Sequence, residues 1–137
     1  MTMADLIRVD RDDLEFTEAG VRHDGKLFTG VAYERYPDGT VWTEEHFELG
    51  FPEGPARDYA PSGRLLAEEL FHDGVPHGLS RHWNDQGQLR REQLAQFGTV
   101  MWRKDYDENG QIVDEDHLPE ESYEARRVRE LRGEGGD

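Results

Sequence analysis

Glycine punctuates this chain at a fixed interval, and that interval restricts the fold more tightly than anything else in the sequence. Gly25, Gly50, Gly74 and Gly98 form one series, Gly30, Gly54 and Gly78 a second, and Gly39, Gly63, Gly87 and Gly110 a third. Each series advances by roughly 24 residues, the mark of an internal repeat built from one small supersecondary unit. A tandem array is therefore expected, with consecutive units stacked on one another.

Within a unit, a breaker such as "HDGVPHG" (72–78) leads into a short run ending in an aromatic residue. A three-residue turn follows, then an apolar run ending in acids. The turns are Pro37-Asp38-Gly39, Pro61-Ser62-Gly63, Asp85-Gln86-Gly87 and Glu108-Asn109-Gly110. A three-residue hairpin loop takes a type I turn followed by a residue at positive φ, which glycine adopts at least cost. The flanking runs "VAYERY", "TVWTEEHF", "RLLAEELF", "LSRHW", "QLRREQL" and "QIVDED" are strand-length and rich in β-branched and aromatic residues. The fold class is mainly β: tandem antiparallel β-hairpins over 25–118 forming a single twisted sheet. Residues 1–24 are expected to cap it with one or two strands. Residues 119–137 are expected to give a short helix, begun by proline and acids and closed by arginines, and a disordered tail "GEGGD".

If Tyr36 pairs with Thr40 across its turn, pleat alternation assigns the faces. Arg35, Tyr59, Trp83 and Tyr106 fall with Val41, Leu65, Leu89 and Ile112, a candidate core. Glu34, Asp58, His82 and Asp105 fall on the other face with Trp42, Leu66, Arg90 and Val113, together with a glutamate column, Glu44, Glu68, Glu92 and Glu115. A slip of one residue would exchange the two faces.

The charge balance narrows the partners. Thirty-one acids against 16 bases give a net charge of −15 over 137 residues. Such a chain is repelled by phosphate backbones and anionic membrane leaflets and attracts cationic proteins. The mean hydropathy is −0.94, no run approaches the roughly 20 apolar residues of a membrane span, and "MTMADLIRVDRDD" has no positively charged n-region followed by an apolar run. A cytoplasmic protein is expected. There is no cysteine, so disulfides and thiolate chemistry are excluded.

No constellation announces catalysis, a cofactor or a metal. His72, His77 and His82 are spaced by five, which by itself neither sets them on one strand face nor makes them converge across loops. Neighbouring carboxylates such as Glu44 and Glu45, or Glu68 and Glu69, point to opposite faces of a strand and form no dyad. Ser62, Ser80 and Ser122 stand in no nucleophile elbow, and the glycine loops lead into strands rather than the helix N-terminus that holds phosphate. Arg57, Arg81 and Lys104 recur at one repeat position and are expected to pair within the sheet or cover aromatic rings.

The phrase "DGVPHGLSRHWNDQGQLRRE" resembles the variant MORN repeat, and the block from Gly25 to Leu118 resembles the MORN-repeat antitoxin or immunity proteins grouped under the name YwqK. There are three clean copies and a fourth in which Met101 replaces the glycine. The resemblance implies a β-hairpin array that binds and neutralises a cognate toxin, and it carries no catalytic motif. Together with the charge it points to a non-enzymatic immunity protein that covers a basic, nucleic-acid-targeting bacterial toxin domain with an acidic sheet face. The docking residues would be Glu34, Trp42, Glu44, Asp58, Glu68, Glu92 and Glu115. The expected partner is that cationic toxin, with the chain itself a monomer or weak homo-oligomer. The alternative is a structural scaffold that assembles end to end through its edge hairpins.

Overall fold

The computed structural model describes residues 6–133. In chain order the elements are β1 (Arg8–Asp10), a 3-10 turn (Arg11–Asp13), β2 (Glu15–Thr17), β3 (Gly20–His23), β4 (Lys26–Leu27), β5 (Gly30–Arg35), β6 (Val41–Glu48) and β7 (Phe51–Tyr59). They continue with β8 (Leu65–His72), β9 (Val75–Pro76), β10 (Gly78–Trp83), β11 (Leu89–Gln96), β12 (Thr99–Tyr106), β13 (Ile112–His117) and α1 (Tyr123–Leu131). Ten strands make one twisted sheet in the order β1-β5-β6-β7-β8-β10-β11-β12-β13, with the short β9 beside β8. The mainly β hairpin array expected from the glycine period is what the chain forms.

Each hairpin closes as its turn residues dictate. Tyr36 N–H donates to the Thr40 carbonyl at 2.8 Å and Gly39 N–H to the Tyr36 carbonyl at 2.9 Å. The same pair of bonds recurs at Ala60/Gly63, Asn84/Gly87 and Asp107/Gly110, and all four turn glycines lie at positive φ. Successive units are stitched where the chain reverses between them. Gly50 N–H meets the Phe28 carbonyl at 2.8 Å, Gly74 N–H that of Pro52 at 3.0 Å, and Gly98 N–H that of Pro76 at 2.9 Å.

Residues near the N-terminus do more than cap. β1 lies parallel to β5, with Val9 opposite Ala32, so the main sheet is mixed rather than wholly antiparallel. β2, β3 and β4 form a separate three-stranded sheet. The main core forms where β1, β3 and the loop after β4 meet β5 and β6: Val9, Val21, Phe28, Ala32 and Phe47 are buried together and Leu14 packs against them. This corrects the expected core. Tyr59, Trp83 and Tyr106 do share a face with Leu65, Leu89 and Ile112, as their direct pairing shows. None of them is buried; on that face burial is confined to Val31 and His46 at the β5–β6 end. Ala32 and Phe47 belong to the opposite face by register, and it is there that the small sheet packs.

The helix forms where the charge order placed it. Ser122 caps it, its hydroxyl accepting from Ala125 N–H at 3.1 Å, and it packs on β12 through the buried Ala125 and Val128. Ser80 and Ala95 are fully buried while their opposite-face neighbours Leu79 and Leu94 are not, which places the helix over the same face as the small sheet. Of the tail expected to be disordered, all but Gly133 lies outside the described residues.

Gly50 and Gly63 separate two roles of glycine. Both sit at φ +89°, but a side chain on Gly63 would meet nothing within 4 Å, whereas on Gly50 it would come within 2.8 Å of Leu27 and 3.1 Å of the Val21 carbonyl. Gly63→Ala is expected to cost about 1–2 kcal/mol of left-handed strain. Gly50→Ala should cost at least about 1 kcal/mol more from overpacking. Urea midpoints at constant slope measure the difference; equal losses would mean that the Gly50 contact does not hold the small sheet in place.

Candidate functional site

The electrostatic character of the sheet is set by one unpaired residue in each hairpin. Arg35 pairs with Val41 but Glu34 pairs with Thr43, so Trp42 bulges out of the ladder. Leu66, Arg90 and Val113 are skipped in the same way. A bulge moves every later residue of its strand to the other face. Glu44, Glu68, Glu92 and Glu115 therefore lie on the face of Tyr59 and Trp83, opposite Glu34 and Asp58, and the seven residues expected to form one docking surface are divided between two faces. The bulge had a signal in the sequence: the adjacent apolar pairs Val41-Trp42, Leu65-Leu66 and Ile112-Val113 break the period-two pattern just past each turn.

On the front face the glutamates are not a bare acidic column. The cross-strand row reads Glu44, Arg57, Glu68, Arg81, Glu92, Lys104, Glu115, each opposite the next. Acids and bases alternate without interruption. Arg57 Nε meets Glu68 Oε2 at 2.7 Å, Arg81 Nε meets Glu92 Oε2 at 2.9 Å, and Arg8 of β1 reaches Glu44 at 2.6 Å. The recurring bases pair within the sheet, as their position in the repeat suggested. Burial works against the Glu44 charge, but the hydrogen bonds and charge of Arg8 and the Tyr59 hydroxyl outweigh it and hold its carboxyl below the ordinary value. Trp42 stands exposed at the bulge with its ring 6.0 Å from that of Tyr36.

The back face differs. At its β1 end Arg11 bridges Glu34 and Glu45 at 3.2 Å each. At its β13 end Arg91 and Arg103 hold Asp105, and Arg103 also holds Asp114. Between these clusters lie Asp58 and Glu69, on a floor of Ala56 and Ala67. Neither has an arginine or lysine within ion-pair distance among the described residues. Loss of solvent pushes both carboxyls up, the nearby His82 opposes this for each, and Glu45 and Asp58 push Glu69 further. Glu45 and Glu69 were missed from the sequence because simple alternation exchanges them with Glu44 and Glu68.

One group could be read as a metal centre. Glu53, His72 and Asp73 each place a donor atom within 4.8 Å of the others. These donors already serve one another: His72 Nδ1 is 2.7 Å from Glu53 Oε1, and Asp73 N–H donates to Glu53 Oε2 at 2.8 Å. The Glu53 hydrogen bond and the charges of Asp73 and Glu53 raise the His72 pKa, which favours the imidazolium over the neutral ring a metal needs. The trio is a clasp across the β8–β9 turn. His77 stacks beside it with rings 5.9 Å apart, while His82 lies on the back face opposite Ala67.

Known proteins add little to this geometry. No family model and no curated protein matches the chain. Among solved structures it is similar to a chain of the accessory secretory protein 1, 2 and 3 structure from Streptococcus pneumoniae, at 14% identity and a TM-score of 0.40, covering 86% of this chain and 22% of that one. No helix among the described residues is long and apolar enough to cross a membrane.

Glu69 and Glu44 should titrate with opposite signs. Glu69 has a raised folded-state pKa, so its carboxylate costs stability as pH rises above the ordinary value of 4.5. Glu44 is depressed and stabilises above 4.5, losing that contribution as pH falls through its folded value. At pH 7, Glu69→Gln is expected to raise the melting temperature and Glu44→Gln to lower it, each by roughly 2 °C. Both differences should shrink in acid. Melting curves of the two variants across pH give the check; shifts of the same sign would overturn that expectation.

Proposed function

We propose that this protein is a non-enzymatic binding protein of the immunity or antitoxin kind, which captures a cationic protein domain and covers its active site with the back face of the sheet. The observation that carries this reading is the pair Asp58 and Glu69, which lie on the back face without a strong base, while Glu34, Glu45, Asp105 and Asp114 of the same face are each bridged by an arginine. A carboxylate in that state gains more from an incoming lysine or guanidinium than one already bridged within the sheet. The small sheet and the helix cover the two ends of this face and leave Asp58, Glu69 and the exposed His82 between them. The overall charge of −15 speeds encounter with a basic partner, in a manner that salt suppresses.

The repeat pattern's resemblance to YwqK-type MORN proteins supports a neutralising role, and nucleic-acid-targeting toxins, basic around their substrate sites, fit the charge. The scaffold alternative is disfavoured by the outer edge. Asp114, Glu115 and Asp116 stand in succession on β13, and edge-to-edge pairing of two copies would set acid against acid.

Reversal of charge on either face is the test. Asp58→Lys with Glu69→Lys is expected to abolish co-purification with a basic partner protein, and with it protection of cells expressing that partner. Salt-bridge acids of the front face, reversed as Glu68→Lys with Glu92→Lys, should lower stability and leave capture intact in whatever fraction remains folded. Binding that survives the first pair and fails with the second would place the contact on the front face.

A further inference from the structure

Among the described residues four non-glycine positions occupy the left-handed region, each just before the glycine of a reversal between β3 and β4, β6 and β7, β8 and β9, or β11 and β12: Asp24 (φ 52°), Leu49 (φ 48°), Asp73 (φ 51°) and Phe97 (φ 51°). Aspartate tolerates this conformation at low cost; a branched or bulky apolar side chain does not. Phe97 has a local return, because its ring packs edge-on against His77 at 4.8 Å and its N–H donates to His77 Nδ1 at 3.0 Å. Leu49 N–H likewise donates to the Thr29 hydroxyl at 2.9 Å, but its side chain stands 62% exposed. The tight reversal accounts for the backbone of Leu49, but not for a large apolar side chain left in solvent, which directs attention to an intermolecular contact.

Leu49 is not isolated. Leu27, Phe51 and Val75 are also exposed, Phe51 at 47%. Each lies against the glycine of the next unit: Leu27 beside Gly50, Phe51 beside Gly74 and Val75 beside Gly98. The strip is thus continuous along one end of the sheet. Where Leu49 and Phe51 meet Pro52 there is a shallow depression of about 390 Å³, rimmed by Glu48, Glu53 and Asp73. Contiguous exposed apolar surface with a polar rim marks interaction sites in soluble proteins.

We propose that this strip seats an amphipathic α-helix of the cationic partner, its apolar side chains on Leu49, Phe51 and Val75 and its lysines or arginines facing the exposed Glu48 at the rim. Adjacent units advance by two strand spacings, about 9.4–9.8 Å, close to the roughly 10.5 Å rise of seven helical residues, so an apolar heptad keeps step with the array. A second copy of this chain is a poor occupant, since its own acidic rim would meet this one. The inference rests on the cationic partner proposed above and adds a second, apolar grip at a different place on the molecule.

The probe is a synthetic helix of about 21 residues with leucines in heptad positions and lysines elsewhere, compared with a control of equal charge in which serine replaces leucine. Leu49→Asn is expected to melt higher than the native chain, because asparagine accepts the left-handed region. It should bind the Leu/Lys helix about tenfold more weakly while its weak binding of the Ser/Lys control is unchanged. The proposal is overturned if Leu49→Asn melts lower, if it loses no affinity for the Leu/Lys helix, if the native chain binds both peptides equally, or if a concentration-dependent dimer vanishes with the substitution. The two readings separate cleanly. A native partner lost by Asp58→Lys/Glu69→Lys but kept by Leu49→Asn removes the apolar grip alone; the reverse pattern removes the back-face reading alone.

Discussion

In every hairpin the β-ladder skips one residue just past the turn, and the position of that residue decides which carboxylates a partner can meet. Trp42, Leu66, Arg90 and Val113 stand out of register, so the strand beyond each is turned over relative to simple alternation. Without the bulge, Glu44, Glu68, Glu92 and Glu115 would face Glu34 and Asp58 across a densely acidic wall. With it, they interleave with Arg57, Arg81 and Lys104 as a neutralised row.

Such a row suits a sheet face on which burial is confined to one end. Cross-strand ion pairs on a solvated surface contribute little individually, but strict alternation removes the like-charge contacts that a chain of this net charge would otherwise accumulate. Half-exposed tyrosines and Trp83 beside the row supply apolar contact without a closed core. The face that does carry cover is stabilised differently. Phe28 and Phe47 are buried in the core with the small sheet, and Val128 is buried on the inner side of the helix; Asp58 and Glu69 lie on the same face without an arginine or lysine partner.

Function in this reading follows from what the repeat leaves unsatisfied rather than from a cleft. Two kinds of unsatisfied surface are present: carboxylates without a strong base on the back face, and apolar side chains without a cover along the turn end. Both are complementary to a polypeptide that is basic and amphipathic. The Glu53–His72–Asp73 clasp shows how completely a polar cluster can be used within the turn it stabilises.

Much of the architecture was legible because glycine at positive φ is a local requirement that a single residue type meets. The 24-residue period, the four turns, their Tyr36–Thr40-type closure and a short helix within 119–137 all follow from chemistry within a few residues of one another. What the linear sequence could not decide was set by contacts between distant segments. The small sheet chose which face became core, Arg11 chose which acids were bridged, and the lateral register of neighbouring strands turned an apparent acidic column into an alternating one. Alternation along one strand is fixed by the pleat, but the charge each side chain experiences depends on strands that lie beside it only after the array has closed.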